Sequence, residues 1–350
     1  MFVKQLRLYN YRNYSRKKIE FDPNLNIIIG NNGSGKTNIL ESIVVVSNTK
    51  SFRTNNDTDL IKKDCDFSRI DLDADSGKYK VVINKKNKSL YIDDKLINRT
   101  SKFIGKINAV LFKPSDLELF TQSPAERRRL LDVEISKVSN RYIQAILKYN
   151  SLLKDKNKLL KELEVDEVLF DIFNDSMIPL IRIIIDEREK FFEEINKHIS
   201  TIYERISSQK KDIKIIYKKC AEIYEVEEEI RKSKEKDFYY HYTTFGPHHD
   251  DYSFKMDGYD LNSVASQGQR RMVLIAFKFA LVKYIQDTTG ITPIVLLDDI
   301  LSELDKYNQE RLLNIIPDDT QVIISNTDIN NLNIDKQYKI INLKEEGNNV

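Results

Sequence analysis

Long apolar runs, cysteine clusters and an excess of charge of one sign are all missing from this chain. The apolar stretch Met177 to Ile185 falls short of the roughly 20 residues a membrane span needs, and it carries Arg182. The N-terminal run MFVKQLRLYNYRNY turns polar within a few residues, unlike a signal peptide. The two cysteines, Cys65 and Cys220, stand far apart and fit no metal or redox spacing, so reduced thiols in a cytoplasmic protein are expected. The 56 Lys and Arg nearly balance 54 Asp and Glu, leaving a net charge of +2. Any basic surface must therefore come from local clustering. With 350 residues, 41% of them hydrophobic, the chain can hold one large or two modest domains with ample core.

Three textures follow one another. Over residues 1–131, short β-type runs such as KQLRLYNY, LNIIIG, YKVVINKK, SLYIDD and NAVLF alternate with loops. Over 132–239 the pattern becomes helical and charged. Ile181, Ile184, Ile185, Phe191, Phe192, Ile195, Ile199 and Ile202 recur at threes and fours, the mark of an amphipathic helix, and Tyr149 to Leu163 suits a partner helix. DIKIIYKK (Asp212 to Lys219) reads as a lone strand. Over 240–350 strands alternate with helices near 268–286 and 306–315, which argues for a mostly parallel sheet. The expectation is an α/β fold with an inserted helical arm.

The chemistry concentrates in three places. Ile27 to Ile29, a buried strand, runs into Gly30-Asn31-Asn32-Gly33-Ser34-Gly35-Lys36-Thr37 and then into an apolar helix. That is a P-loop in its required strand–loop–helix setting. Glycines let backbone N–H groups close on phosphate oxygens, and the helix N-terminus adds positive potential. Lys36 is expected to reach the β- and γ-phosphates of a nucleoside triphosphate, and Thr37 to hold Mg²⁺. A chance glycine-rich turn is disfavoured by the setting. Downstream, PIVLLDDILSELD ends an apolar run on Asp298, suited to the Mg²⁺ shell, and Asp299, placed to polarise the attacking water. Two surface acids at a strand end would be the plainer reading were there no P-loop. Lastly, Ser266-Gln267-Gly268-Gln269 opens a long apolar helix. An N-cap needs only the serine. A hydroxyl, backbone N–H groups and a helix dipole together suit an anion.

The order P-loop, Ser-Gln-Gly-Gln, acidic strand and SELD matches ABC-class ATPases, whose signature grips the γ-phosphate held by a second subunit. Within that class the chain resembles the RecF family of bacterial DNA replication and repair ATPases, related to SMC heads. The resemblance rests on LRLYNYRNY, IIIGNNGSGKTNILESI, SFRT (Ser51 to Thr54), LFKPSDLELFTQSPAERRRLLD, FGPHHDDYSF, SQGQRR and LLDDILSELD. It implies an ABC-type P-loop ATPase head with a short helical arm, closing as a homodimer around two ATP molecules. By that likeness Ser266 contacts the partner's γ-phosphate, and Ser302 to Asp305 crosses near it. It also implies binding of double-stranded DNA and of single-strand/duplex junctions, action at gaps and stalled forks, and work with RecR and RecO in loading RecA.

Two features depart from ABC transporters. Asp299 stands where they carry glutamate, and Asn326-Thr327-Asp328 replaces their switch histidine, so either Asn326 or Thr327 is a candidate phosphate sensor. Both favour a slow ATP-gated switch. For Arg127 to Arg129, DNA contact and helix-surface pairing are equally expected. Arg12, Asn13 and Arg53 are candidates near the nucleotide, with an acidic partner the alternative for Arg53. His248, His249, Asp250 and Asp251 fit a structural or interface loop better than a metal site. The aromatics read as scattered and mostly core, with no stacking platform for single strands. A nuclease-associated ATPase lacks a further acidic constellation here, an SMC-type role needs a longer arm, and a transporter subunit is disfavoured by the arm itself.

Overall fold

The computed structural model describes residues 1–328, 334 and 337–343. The chain begins with β1 (Val3–Tyr11), β2 (Tyr14–Glu20), β3 (Leu25–Ile29), α1 (Lys36–Asn48), β4 (Phe67–Ala74), β5 (Gly77–Asn84), β6 (Lys88–Ile92), β7 (Lys95–Ile97) and β8 (Ala109–Phe112). Next come α2 (Pro124–Ser136), α3 (Asn140–Leu159), α4 (Glu167–Ser207), β9 (Ile213–Lys218), α5 (Val226–Tyr240), β10 (Asp251–Met256), β11 (Tyr259–Asp260), α6 (Leu261–Val264) and α7 (Gln267–Thr289). It closes with β12 (Ile294–Asp298), α8 (Lys306–Ile315), β13 (Val322–Asn326) and β14 (Tyr338–Asn342).

These elements form two compact units. One comprises Met1–Leu117, Thr201–Lys210 and Arg271–Val350, the other Glu118–Ser200 and Lys211–Arg270. The stretch 132–239 expected as the arm belongs to the second unit except for residues 201–210, the end of α4 and the loop after it.

The first unit is built on two sheets rather than the single mostly parallel one the alternation suggested. One is antiparallel with order β2-β1-β4-β5-β6-β7, the other parallel with order β14-β3-β13-β12-β8. Period-2 alternation explains the first: along β1, Leu6 and Leu8 point inward while Gln5, Arg7 and Tyr9 stay partly exposed. β3, β12 and β13 are buried at every position, as expected of central parallel strands. α1 lies between the sheets. Its Ile39, Leu40, Ile43 and Val44 join one core with Leu6, Ile70 and Val81 from one sheet and Ile28, Leu296 and Ile323 from the other.

In the second unit, Ser123 and Glu126 form a reciprocal capping box with Pro124 at the start of α2, and Ser139 caps α3. The expected lone strand is β9, which pairs with β10 in a three-stranded antiparallel sheet. The charged loop Gly246–Asp251 organises this unit. Arg188 on α4 is 1% exposed, and its guanidinium meets Asp250 Oδ2 at 2.6 Å, Pro247 O at 2.8 Å and Asp132 Oδ1 at 2.8 Å. Asp250 also accepts the Cys220 N–H at 2.7 Å and the Tyr217 hydroxyl. His248 bonds Tyr149 and the Thr243 carbonyl, and burial lowers its pKa to about 4, so it is neutral at physiological pH. GPHHDD is therefore a structural loop, and no metal-type cluster of His, Cys, Asp or Glu occurs among the described residues.

Removing one partner of a buried ion pair strands the other charge. Asp250→Ala is expected to destabilise the protein by about 3 kcal/mol, read as a lowered urea midpoint by circular dichroism. The exposed Glu162→Ala should shift it by less than about 0.5 kcal/mol.

Candidate active site

The carboxyl ends of three parallel strands carry the site. Ile29 at the end of β3 pairs with Asn326, and Asp298 at the end of β12 pairs with Ser325, so the three ends lie level. Ligands of open α/β sheets sit beyond such ends.

The loop Gly30–Gly35 leaves β3 and turns into α1. A Cβ at Gly30 would lie 2.4 Å from Ser34 Oγ. At Gly35, with φ +98°, a Cβ would lie 2.4 Å from the Tyr14 hydroxyl. The Tyr14 hydroxyl in turn donates to Ser34 O at 3.1 Å. Asn31, Asn32 and Gly33 are exposed at the tip. Lys36 is buried, and its ammonium donates to Gly30 O at 2.8 Å and Asn31 O at 3.2 Å, folded back onto its own loop.

Asp298 is the meeting point. Its Oδ1 accepts the Thr37 hydroxyl at 3.0 Å and the Ser325 hydroxyl at 2.7 Å. Ser325 Oγ also takes the Asp299 N–H at 3.1 Å. Asp299 holds φ +51°, a left-handed conformation that costs a non-glycine residue about 1 kcal/mol or more. Burial raises the pKa of its carboxyl; Lys36 opposes this and Asp298 adds to it. The neighbouring Asn326 is buried. Its Oδ1 accepts the Thr327 N–H at 2.7 Å, leaving Nδ2 with no hydrogen-bond partner among the described residues. Ser34 Oγ is likewise buried and unpaired.

These features fit a magnesium nucleotide. Two orphaned donors, Asn326 Nδ2 and Ser34 Oγ, await acceptor oxygens. Thr37 and Asp298 offer the hydroxyl and carboxylate oxygens that Mg²⁺ takes.

Around α1 a second group locks the loop's surroundings. Glu41 is fully buried and accepts two bonds from Arg12, at 2.8 and 2.5 Å, and one from Ser51 at 2.6 Å. Arg53 donates to Asn38 Oδ1 at 2.8 Å, and Asn38 donates to Asn13 Oδ1 at 2.8 Å. The Arg12 guanidinium is thus held by Glu41, while Arg53 lies 3.8 Å from the same carboxylate. Ser325 escapes a motif reading because it sits alone in an ordinary-looking strand.

The signature opens α7 at the margin of the second unit. Ser266 and Gln269 form a reciprocal cap: the Ser266 N–H bonds Gln269 Oε1 at 2.9 Å, and the Gln269 N–H bonds Ser266 Oγ at 3.2 Å. Capping thus explains two of the four residues. Ser266, Gln267 and Gly268 are exposed. Asp305, in SELD, caps α8 by accepting the Asn308 N–H at 2.8 Å; the Glu303 side chain lies outside the described residues. Arg127 forms a two-pronged pair with Asp251 at 2.8 and 2.7 Å, and Arg128 donates to Asp250 O at 2.8 Å, so pairing within the unit accounts for both. Tyr239 and Tyr240 at the end of α5, with Tyr242 just beyond it, form an exposed cluster among otherwise mostly core aromatics.

A sequence profile of the RecF/RecN/SMC N-terminal domain matches residues 2–349. The chain is 35% identical over 354 residues to the "DNA replication and repair protein RecF" of Lachnoclostridium phytofermentans, covering 97% of this chain and 98% of that one. A solved structure described as the recombination mediator protein RecF-ATPrS in the RecFOR pathway superposes with a TM-score of 0.87 at 29% identity, covering 95% of this chain and 94% of that one. The Smc head domain of Pyrococcus furiosus, at 18% identity and a TM-score of 0.55 over 97% of this chain and 93% of that one, shares the fold. With its P-loop, acidic strand and signature on an SMC-type head, this chain belongs to the RecF family of DNA replication and repair ATPases.

Proposed function

We infer that the protein is an ATP-gated DNA-repair switch: two copies close around ATP on double-stranded DNA, slow hydrolysis reopens them, and with RecR and RecO they help load RecA at gaps or stalled forks. The observation that carries this reading is the exposure of Ser266, Gln267 and Gly268 at the start of α7, in a chain whose P-loop and acidic strand are joined through the Thr37–Asp298 bond. The Ser266 hydroxyl accepts the Gln269 N–H but keeps its own proton to donate, and with the exposed helix start it suits the phosphates of a nucleotide bound to a second copy.

In this mechanism the Gly30–Gly35 backbone and the start of α1 cradle the triphosphate, and Lys36 moves from its own loop carbonyls to the β- and γ-phosphates. Mg²⁺, when bound by Thr37 and Asp298, neutralises the phosphate charge. Asp299 holds a water for attack; its raised pKa makes it a better proton acceptor than an ordinary aspartate, provided it is ionised. Being shorter than glutamate, it supports slow turnover. Asn326 Nδ2, unpaired, is the better candidate phosphate sensor than Thr327. Ser266 contributes its hydroxyl from the second copy.

Lys36→Met should abolish ATP-driven dimerisation in sedimentation velocity, and dimerisation like wild type would refute the nucleotide gate. Asp299→Asn should keep ATP binding and dimerisation while lowering turnover about 100-fold or more. In wild type, turnover should fall on acidification at a pH above the usual aspartate range, because protonated Asp299 cannot accept a proton.

A further inference from the structure

The edge of the six-stranded sheet carries a charge pattern that the ATP site does not use. From Lys95 to Ser115 the sequence holds no Asp or Glu but contains Lys95, Arg99, Lys102, Lys106 and Lys113. In a chain with 54 acidic residues against 56 basic ones, this is a local break in the balance.

The structure fixes the segment firmly. β7 is the terminal strand of its sheet, and the chain beyond it folds into a short turn over Thr100–Lys102. The Lys102 N–H bonds Arg99 O at 2.9 Å, and the Ile104 N–H bonds Thr100 O at 3.1 Å. Phe103, 1% exposed, plugs into the core edge-on to Tyr79, with ring centroids 6.1 Å apart. Lys95, Arg99, Lys102 and Lys106 stand exposed on this anchored backbone.

None of the four makes an ion pair among the described residues. Elsewhere on the sheet several cations are neutralised: Lys18 by Glu20 at 2.7 Å, Arg7 by Asp73 at 2.6 Å and Lys80 by Asp94 at 2.6 Å. Lys113 also has company, 3.8 Å from Asp116 and over the Phe52 ring. Edge lysines commonly serve to discourage pairing with another sheet. That accounts for Lys95, but Arg99, Lys102 and Lys106 lie past the last residue of the strand, Ile97. Beside them stand Asn98, Thr100 and Ser101, side chains that commonly bond phosphate oxygens.

We propose that this edge, β7 with the turn as far as Lys106, is a contact surface for the phosphate backbone of duplex DNA. The inference rests on the DNA-binding reading above and adds where the duplex lies. Such contacts fix the protein on DNA without reading sequence, and they are strongly salt-dependent.

The test is the combined variant Arg99→Ser/Lys102→Ser/Lys106→Ser, with ATP and a labelled duplex followed by anisotropy over a salt series. Circular dichroism and ATP binding should match wild type, since all three side chains are exposed and unpaired. Losing three phosphate contacts should lower the slope of log affinity against log salt by roughly 2.7 and weaken binding about 100-fold near 0.15 M salt. The single charge reversal Lys102→Glu should move both in the same direction by less. A matched variant on the arm, Lys154→Ser/Lys158→Ser/Lys161→Ser, should bind as wild type does. A wild-type slope in the combined variant would overturn the proposed surface and leave the repair-switch reading intact. Failure of the wild-type protein to bind duplex DNA at all would overturn both.

Discussion

The candidate site is tied together by one shared oxygen, Asp298 Oδ1, which accepts hydroxyl bonds from both Thr37 and Ser325. Thr37 belongs to the helix after β3, Ser325 to β13 and Asp298 to β12, so a single carboxylate ties together three neighbouring elements. The tie exists only because the parallel register brings these strand ends level. A slip of one residue would turn Asp298 to the other face of the sheet. The register is held in turn by apolar side chains that leave the central strands no other arrangement, with α1 packed between two sheets.

A different constraint governs the second unit. Arg188 is fully enclosed and satisfied by Asp250, Asp132, Tyr142 and a carbonyl of the GPHHDD loop. Such a network is costly to leave incomplete, so it fixes the loop immediately before β10. From β10 the chain passes through β11 and α6 directly to Ser266. The histidines and acids of this loop are therefore scaffold, held by bonds within the unit.

Much of this was legible in the sequence because the chemistry sits in contiguous runs. The P-loop, the Asp298-Asp299 pair and the Ser266-Gln267-Gly268-Gln269 run each declare themselves within a few residues. The parallel strands were legible from unbroken apolar runs followed by helices. Residues acting alone across long separations were not: Ser325 lies 27 positions from the Asp298 it bonds, and Arg188 lies 62 from Asp250. The antiparallel sheet was visible as strands but not as a separate layer, since alternation gives the inward face of a strand and not its partner. Ser266 alone does not complete the cap of α7, because a capping box ending in Gln returns a bond to the serine N–H.

The central claim is that each ATP site is completed by a second copy, and mixing two crippled chains tests it most directly. A Lys36→Met chain retains its signature but lacks the phosphate lysine, whereas a Ser266→Arg chain retains the lysine but has a blocked signature. Each alone should be inactive. A mixed pair has one site with both parts intact, so combining them should restore ATP hydrolysis and ATP-dependent dimers well above the sum of the separate chains. Hydrolysis by Ser266→Arg alone at the wild-type rate, or a mixture no more active than its parts, would contradict the account.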